Sequence, residues 1–272
     1  MSIKNIVGIT IGVLLVARGV YAAELQRILV YSSSNLSGHE VFAECNPGGG
    51  TSCPCSPSDV AMSQTKTFGT VTANPNNGNT WVNAIGNKTF QEQLPNNKPI
   101  DLSVYKYIVE TRLPVLPRAN TNQKKNPQGA HTMIQLYDGR NALWQADKHT
   151  LEAVIYWELS PFTSEYGKIK IFTDPPYTLI DTGMKITPDL RWHKFELTAD
   201  FKKQEYRSIT IDGKTKNLFG TKLISVNQPT WGEEVTLALT TESLPAWPWQ
   251  ECTYIFNWSQ EFRNILFYKL LF

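Results

Sequence analysis

From Tyr105 to the C-terminus the chain is a succession of short segments in which apolar and polar residues alternate. YKYIVETRLPV, HTMIQLYD, LEAVIYWELS, GKIKIFTD, WHKFELTADF, YRSITIDG, EVTLALTT, CTYIFNW and NILFYKL follow one another. Each is rich in β-branched and aromatic residues and bounded by turn formers, the pattern of half-buried strands. YDGRN and IDGKT carry the Asp-Gly pair that favours tight hairpins. No segment keeps a helical period over three turns. Many short strands at this spacing predict an all-β protein, a jelly-roll β-sandwich of two antiparallel sheets.

The N-terminal part reads differently. Lys4, the apolar run IVGITIGVLLVA and the small residues of VYAAEL form a secretory-signal pattern over residues 1–23, with cleavage after Ala22 or Ala23. The rival reading, a membrane anchor, needs about 20 apolar residues, and the run is shorter. Export, to the periplasm or the cell exterior, is therefore the expectation. Without Lys4 and Arg18, 24 basic residues balance 24 acidic ones. A neutral mature chain has no electrostatic footprint for nucleic acid or for an anionic membrane.

Export gives the four cysteines a role. Cys45, Cys53 and Cys55 lie in CNPGGGTSCPC, and Cys252 lies far downstream. In an oxidising compartment the expectation is two disulfides. One of Cys53 and Cys55 pairs with Cys45 and the other with Cys252. Zinc is the rival, but the C-x7-C-x-C spacing fits no common zinc pattern. Residues 24–65 are expected to form an irregular stapled segment, and residues 66–272 the sandwich.

The period of two assigns faces. Ala153, Ile155, Trp157 and Leu159 point to a core, while Glu152, Val154, Tyr156 and Glu158 point away. Likewise His131, Met133, Gln135 and Tyr137 oppose Ile134 and Leu136, and Glu110 and Arg112 oppose Val109 and Thr111. If these strands share one sheet, its outer face gathers Glu110, Arg112, His131, Gln135, Tyr137, Tyr156 and Glu158. The plain reading of such a face is solvation, with Glu110 and Arg112 as a surface ion pair. Its mixture of aromatic rings and planar hydrogen-bonding groups favours a site instead. Trp247 and Trp249, in the Pro-stiffened loop ESLPAWPWQEC, add indoles suited to stacking on sugar rings.

The run from about Tyr105 to Leu270, and above all RWHKFELTADFKKQEYRSITIDGK, resembles the concanavalin A-like lectin/glucanase superfamily. That resemblance implies a sandwich with one concave sheet that binds polysaccharide. The Glu-x-Asp-x-(x)-Glu strand of its glucanases is missing. Glu152 and Glu158 stand about 20 Å apart along one strand, beyond the roughly 5–9.5 Å of a glycosidase pair. Alginate-lyase-like families are closer. Glu110-Thr111-Arg112 resembles the end of their Arg-Thr-Glu-Leu-Arg strand, with Ile108 at the first Arg. Gln135-Leu136-Tyr137 resembles their Gln-Ile-His, with Tyr137 at the His. LFYKLLF keeps a trace of their Tyr-x-Lys-x-Gly-x-Tyr. For a lyase, the resemblance implies that Arg112 and Gln135 neutralise a uronate carboxylate while Tyr137, Tyr156 or His131 moves protons. Glu110, Glu158, Trp247 and Trp249 are then substrate-binding. A binding module needs the same face without that chemistry, and binding without catalysis is the first expectation. No cofactor is expected. Lectin-like sandwiches often hold calcium, to which Asp138 and Asp174 could contribute, though their spacing matches no calcium motif.

Overall fold

The computed structural model describes residues 26–46, 59–73, 81–90, 104–117, 128–139, 150–175, 177–226, 235–245 and 257–271. Sixteen strands run along it: β1 (Gln26–Ser33), β2 (Glu40–Asn46), β3 (Val60–Gln64), β4 (Gly69–Ala73), β5 (Trp81–Phe90), β6 (Val104–Arg112), β7 (Gln128–Asp138) and β8 (Thr150–Glu158). These are followed by β9 (Lys168–Thr173), β10 (Thr178–Lys185), β11 (His193–Asp200), β12 (Glu205–Ile211), β13 (Lys214–Asn217), β14 (Ile224–Val226), β15 (Val235–Pro245) and β16 (Trp258–Leu271). No α-helix occurs among the described residues.

The strands form two antiparallel sheets. The first has the order β13-β12-β11-β6-β16-β4-β3, with β1 also on β16. The second has the order β10-β9-β8-β7-β15-β5-β2, with β14 also on β8. At four of the seven ranks the facing strands are consecutive in sequence: β6 with β7, β16 with β15, β4 with β5, and β3 with β2. The chain thus steps repeatedly from one layer to the matching place in the other, which is jelly-roll winding. The all-β sandwich expected from the alternation is the observed fold.

The core lies between the layers. Trp157, Ile155, Ala153 and Leu159 enter it, as the alternation requires, beside Phe195, Trp258, Phe262 and Phe267. Two polar connections cross it. The Tyr107 hydroxyl donates to the Ile134 carbonyl at 2.9 Å. Thr132 donates to Gln260 Oε1 at 2.8 Å, and Gln260 Nε2 donates to Thr111 Oγ1 at 2.6 Å. Gln260 is fully buried, and this chain satisfies it.

Two long strands change neighbours part-way. Along one edge of β16, residues 258–262 pair with β4 and residues 265–271 with β1. Asn264, at a φ of 48°, marks the bulge between them. Along one edge of β8, residues 150–152 pair with β14 and residues 155–157 with β9. The gap falls at Val154, whose N–H donates to the Tyr206 hydroxyl at 2.8 Å; that hydroxyl in turn donates to the Phe172 carbonyl at 2.7 Å. A side chain from the first sheet thus completes the edge of the second. Tyr206→Phe should cost about 1–3 kcal/mol, because it leaves a buried N–H and carbonyl unmet. Chemical denaturation checks this, and a loss near zero would contradict it.

Residues 24–65 hold one strand that their RILVYSS run suggests, β1, which joins the first sheet; beyond it they depart from the expectation of an irregular segment, since β2 joins the second sheet and β3 pairs with β4. Leu36 is buried against Gly69, where an added Cβ would come within 2.3 Å of Leu36 Cγ. The short β2 and β3 lack a strong period-two pattern, so propensity alone did not reveal them. The two Asp-Gly signals also part company. Asp212 and Gly213, at φ of 48° and 81°, form the two-residue turn between β12 and β13. Asp138, by contrast, pairs with Leu151, so β7 and β8 are joined by a long connection and not by a tight turn at Asp138-Gly139.

Residues 1–23 lie outside the described residues, as do Cys53, Cys55, Cys252 and the side chain of Cys45.

Candidate functional site

The outer face of the second sheet forms a cleft of about 590 Å³. A row of directly facing residues crosses it. Glu44 on β2 faces Asn83 on β5, Asn83 faces Glu242 on β15, Glu242 faces His131 on β7, and His131 faces Glu158 on β8. Five adjacent strands at about 4.8 Å spacing make this row roughly 19 Å wide. Gln135, Tyr137, Glu152 and Tyr156 lie in the rows beside it, and Phe172 and Tyr177 wall one side.

Alternation left open whether the outer face of β8 is solvated or a site, and every residue of β8 is buried. Ala153, Ile155 and Trp157 are covered by the first sheet. Glu152, Tyr156 and Glu158 keep only 2%, 7% and 6% of their surface; Glu152 and Tyr156 line the floor of the cleft, and Glu158 is held against His131.

His131 is the hub. Its Nδ1–H donates to Glu242 Oε2 in a short hydrogen bond, and its Nε2–H donates to Glu158 Oε1 at 3.0 Å. Burial alone would lower the imidazole pKa. The charges of Glu242 and Glu158, with their hydrogen bonds, outweigh it and hold the group up at about 9. His131 is therefore an imidazolium at neutral pH, with both nitrogens donating and no lone pair for a metal. Burial pushes Glu158 up, but its bonds from His131 and from the Ser160 N–H, at 2.9 Å, prevail and hold it below the usual carboxylate range. The Tyr156 ring lies against the imidazole, with centroids 4.6 Å apart. Burial first, then Glu158 and Glu242, push the Tyr156 phenol far up, so it keeps its proton. Gln135 accepts from the Thr240 hydroxyl at 2.8 Å.

Glu152 behaves oppositely to Glu158. Its carboxyl has no hydrogen-bond or ion-pair partner among the described residues. Burial, and then the charge of Glu44 across the cleft, push it up to about 8. Among the described residues no Lys or Arg lines the cleft.

The structure brings together His131, Gln135, Tyr137, Tyr156 and Glu158. It does not bring Glu110 and Arg112 to them. β6 pairs with β11 and β16 in the first sheet, so both side chains stand on the opposite side of the molecule. There Glu110 accepts from Arg263 at 2.7 Å, and Arg112 donates to Glu261 in a short bond. Both guanidinium groups also lie over the Trp192 ring, at 4.7 and 4.1 Å. Glu110 and Arg112 are thus ion-paired, but to Arg263 and Glu261 and not to each other as the solvation reading expects. The assumption that failed was that consecutive strong strands are sheet neighbours; β6 and β7 lie in different sheets instead. Trp247 and Trp249 lie outside the described residues. Asp138 is buried at the end of β7, and Asp174 sits in the turn after β9. Among the described residues no three His, Cys, Asp or Glu side chains are placed to hold a metal.

Glu242, Glu44 and Asn83 escaped the sequence reading. For Glu242 the signal was present: in VTLALTTESLP, Thr236, Ala238, Thr240 and Glu242 form one face. The turn-rich NPNNGNTW before β5 hid Asn83.

No family model matches the chain, and no curated protein matches it. Among solved structures it is similar to the catalytic domain of a laminarinase from Thermotoga petrophila, at 8% identity over 90% of this chain and 98% of that one, with a TM-score of 0.46. It is similar to winged bean acidic lectin complexed with methyl-α-D-galactose, at 8% identity over 92% and 100%, with a TM-score of 0.45. It is also similar to an alginate lyase variant in complex with an alginate trisaccharide, at 14% identity over 79% and 86%, with a TM-score of 0.41. Likeness at this level does not carry a function, and the functional argument rests on the side chains of the cleft.

Proposed function

We propose that the protein is exported and binds a polysaccharide without acidic groups along this cleft, as a recognition protein rather than a catalyst. One observation carries the reading: a groove some five strands wide, floored by aromatic rings and planar hydrogen-bonding groups, with no Lys or Arg lining it among the described residues. Aromatic faces stack on sugar rings, and fixed carboxylates and amides accept sugar hydroxyls with little loss of freedom. Tyr177, 56% exposed and edge-on to Phe172, offers such a ring at the mouth.

The acid–base groups support binding over catalysis. A lyase acting on uronates needs a cation to neutralise the substrate carboxylate and a group able to take a proton. Arg112 stands on the other sheet, His131 is already protonated on both nitrogens, and the Tyr156 phenol resists ionisation. A hydrolase needs a protonated acid beside a carboxylate. Glu158 is held ionised, and protonated Glu152 lies six residues along the same strand, about 20 Å away, so these two cannot form a hydrolase pair.

Electrophoresis through gels containing a neutral glucan, a neutral galactan or alginate tests the reading. Retardation by a neutral polymer is expected, with Tyr177→Ala weakening it roughly three- to tenfold. Retardation by alginate alone, or by none of the three together with no binding of an amino-sugar oligomer, would overturn it.

A further inference from the structure

Resting on the reading of the cleft as a glycan site, we infer that its Glu152 end takes a protonated amine, carried by an amino-sugar unit of the polysaccharide. Three observations converge there. Glu152 is 98% buried yet lines the cleft, and its carboxyl has no partner among the described residues. A buried acceptor left unmet is costly, and a ligand donor relieves that cost. The walls beside it are aromatic: Tyr137 on β7, Phe172 on β9 and Tyr177 in the following turn, with Phe172 and Tyr177 edge-on at 6.1 Å. Aromatic faces attract cations. Finally, the charged groups at this end are carboxylates, with Glu44 across the cleft and no Lys or Arg lining it among the described residues, while the His131 imidazolium sits opposite Glu158, six residues further along the sheet. An ammonium group is the small, hydrogen-bond-donating cation that meets all three conditions, and a uronate is the sugar they exclude.

The titratable groups acting on Glu152 are Glu44 from β2 and the phenols of Tyr137, Tyr177 and, through the sheet, Tyr206. None supplies positive charge. The carboxyl consequently holds its proton up to about pH 8 in the empty cleft. An ammonium seated against it favours the carboxylate, so binding expels that proton to solvent.

Isothermal titration with a glucosamine tetramer and its N-acetylated counterpart tests this. At about pH 5 the amine is fully charged and Glu152 is protonated. Repeating the titration in buffers of different ionisation enthalpy counts the protons released. The amine form is expected to bind about tenfold more tightly and to release close to one proton per site. In Glu152→Gln, which replaces a protonated carboxyl with a neutral amide of the same shape, the proton release should vanish and the preference should fall to about one. Equal or weaker binding of the amine form, or tight binding without proton release, would overturn the inference. If the acetylated tetramer binds and the amine gains nothing, the inference fails and the glycan reading survives. If neither tetramer nor any neutral polymer binds, both fall together.

Discussion

Replacing His131 with alanine should lower the unfolding free energy by about 3–5 kcal/mol at pH 7. The imidazolium neutralises two carboxylates whose side chains are only 8% and 13% exposed. Without it, Glu158 and Glu242 face each other across a cavity with no cation. Breaking a buried pair from one side leaves an uncompensated charge, which costs more than the pair itself contributed. The double change Glu158→Gln with Glu242→Gln in the His131→Ala background should recover part of the loss, because it removes the stranded charges. Urea unfolding at fixed pH measures both. A loss below about 1 kcal/mol for His131→Ala would mean that the cluster is solvated and that the cleft floor is not as described.

The second large effect is on pH dependence. Glu152 is raised to about 8 in the folded chain, against an ordinary carboxyl near 4.5. Between these values the folded chain holds a proton that the unfolded chain has shed. Stability therefore falls as pH rises through that window, and the full cost is present above about pH 8. His131 works in the same direction. Its folded pKa of about 9 exceeds its ordinary 6.5, so its stabilisation is complete below 6.5 and is lost as pH rises through 9. The protein should accordingly be much less stable near pH 9 than near pH 5. Glu152→Gln should remove roughly 3–5 kcal/mol of that difference, taking about 1.4 kcal/mol per pKa unit. Denaturation curves for both proteins at the two pH values decide the matter. Parallel losses in the variant and the parent would show that Glu152 ionises freely in the fold.

The fold was legible because its strongest strands alternate cleanly. Trp157, Ile155 and Ala153 could enter only one layer, and the Asp212-Gly213 turn announced itself. The partners of each strand were not legible. Nothing local in YIVETR says that β6 lies between β11 and β16 and not beside β7; that is settled by long-range pairing. Glu110 and Arg112 were accordingly given to the wrong sheet, although their alternation was correctly read. The cleft floor was half legible. His131, Gln135, Tyr137, Tyr156 and Glu158 follow from period two on neighbouring strands. Their burial does not, because it depends on Phe172 and Tyr177 rising from β9 and its turn. The opposite fates of Glu152 and Glu158 also needed coordinates. Both occupy the same face of one strand, and only register shows that Glu158 meets His131 while Glu152 meets Tyr137, which supplies no charge.

The central claim is that glycan lies on the floor made by β7, β8 and β15. Amide hydrogen exchange with and without a saturating neutral gluco-oligosaccharide tests it most directly. Added protection is predicted in residues 131–137, 152–158 and 236–242 and in the turn carrying Tyr177, with none in β6 or β11 to β13. Protection confined to the Arg112 face of the first sheet, or unchanged exchange throughout the cleft at saturation, would contradict the account.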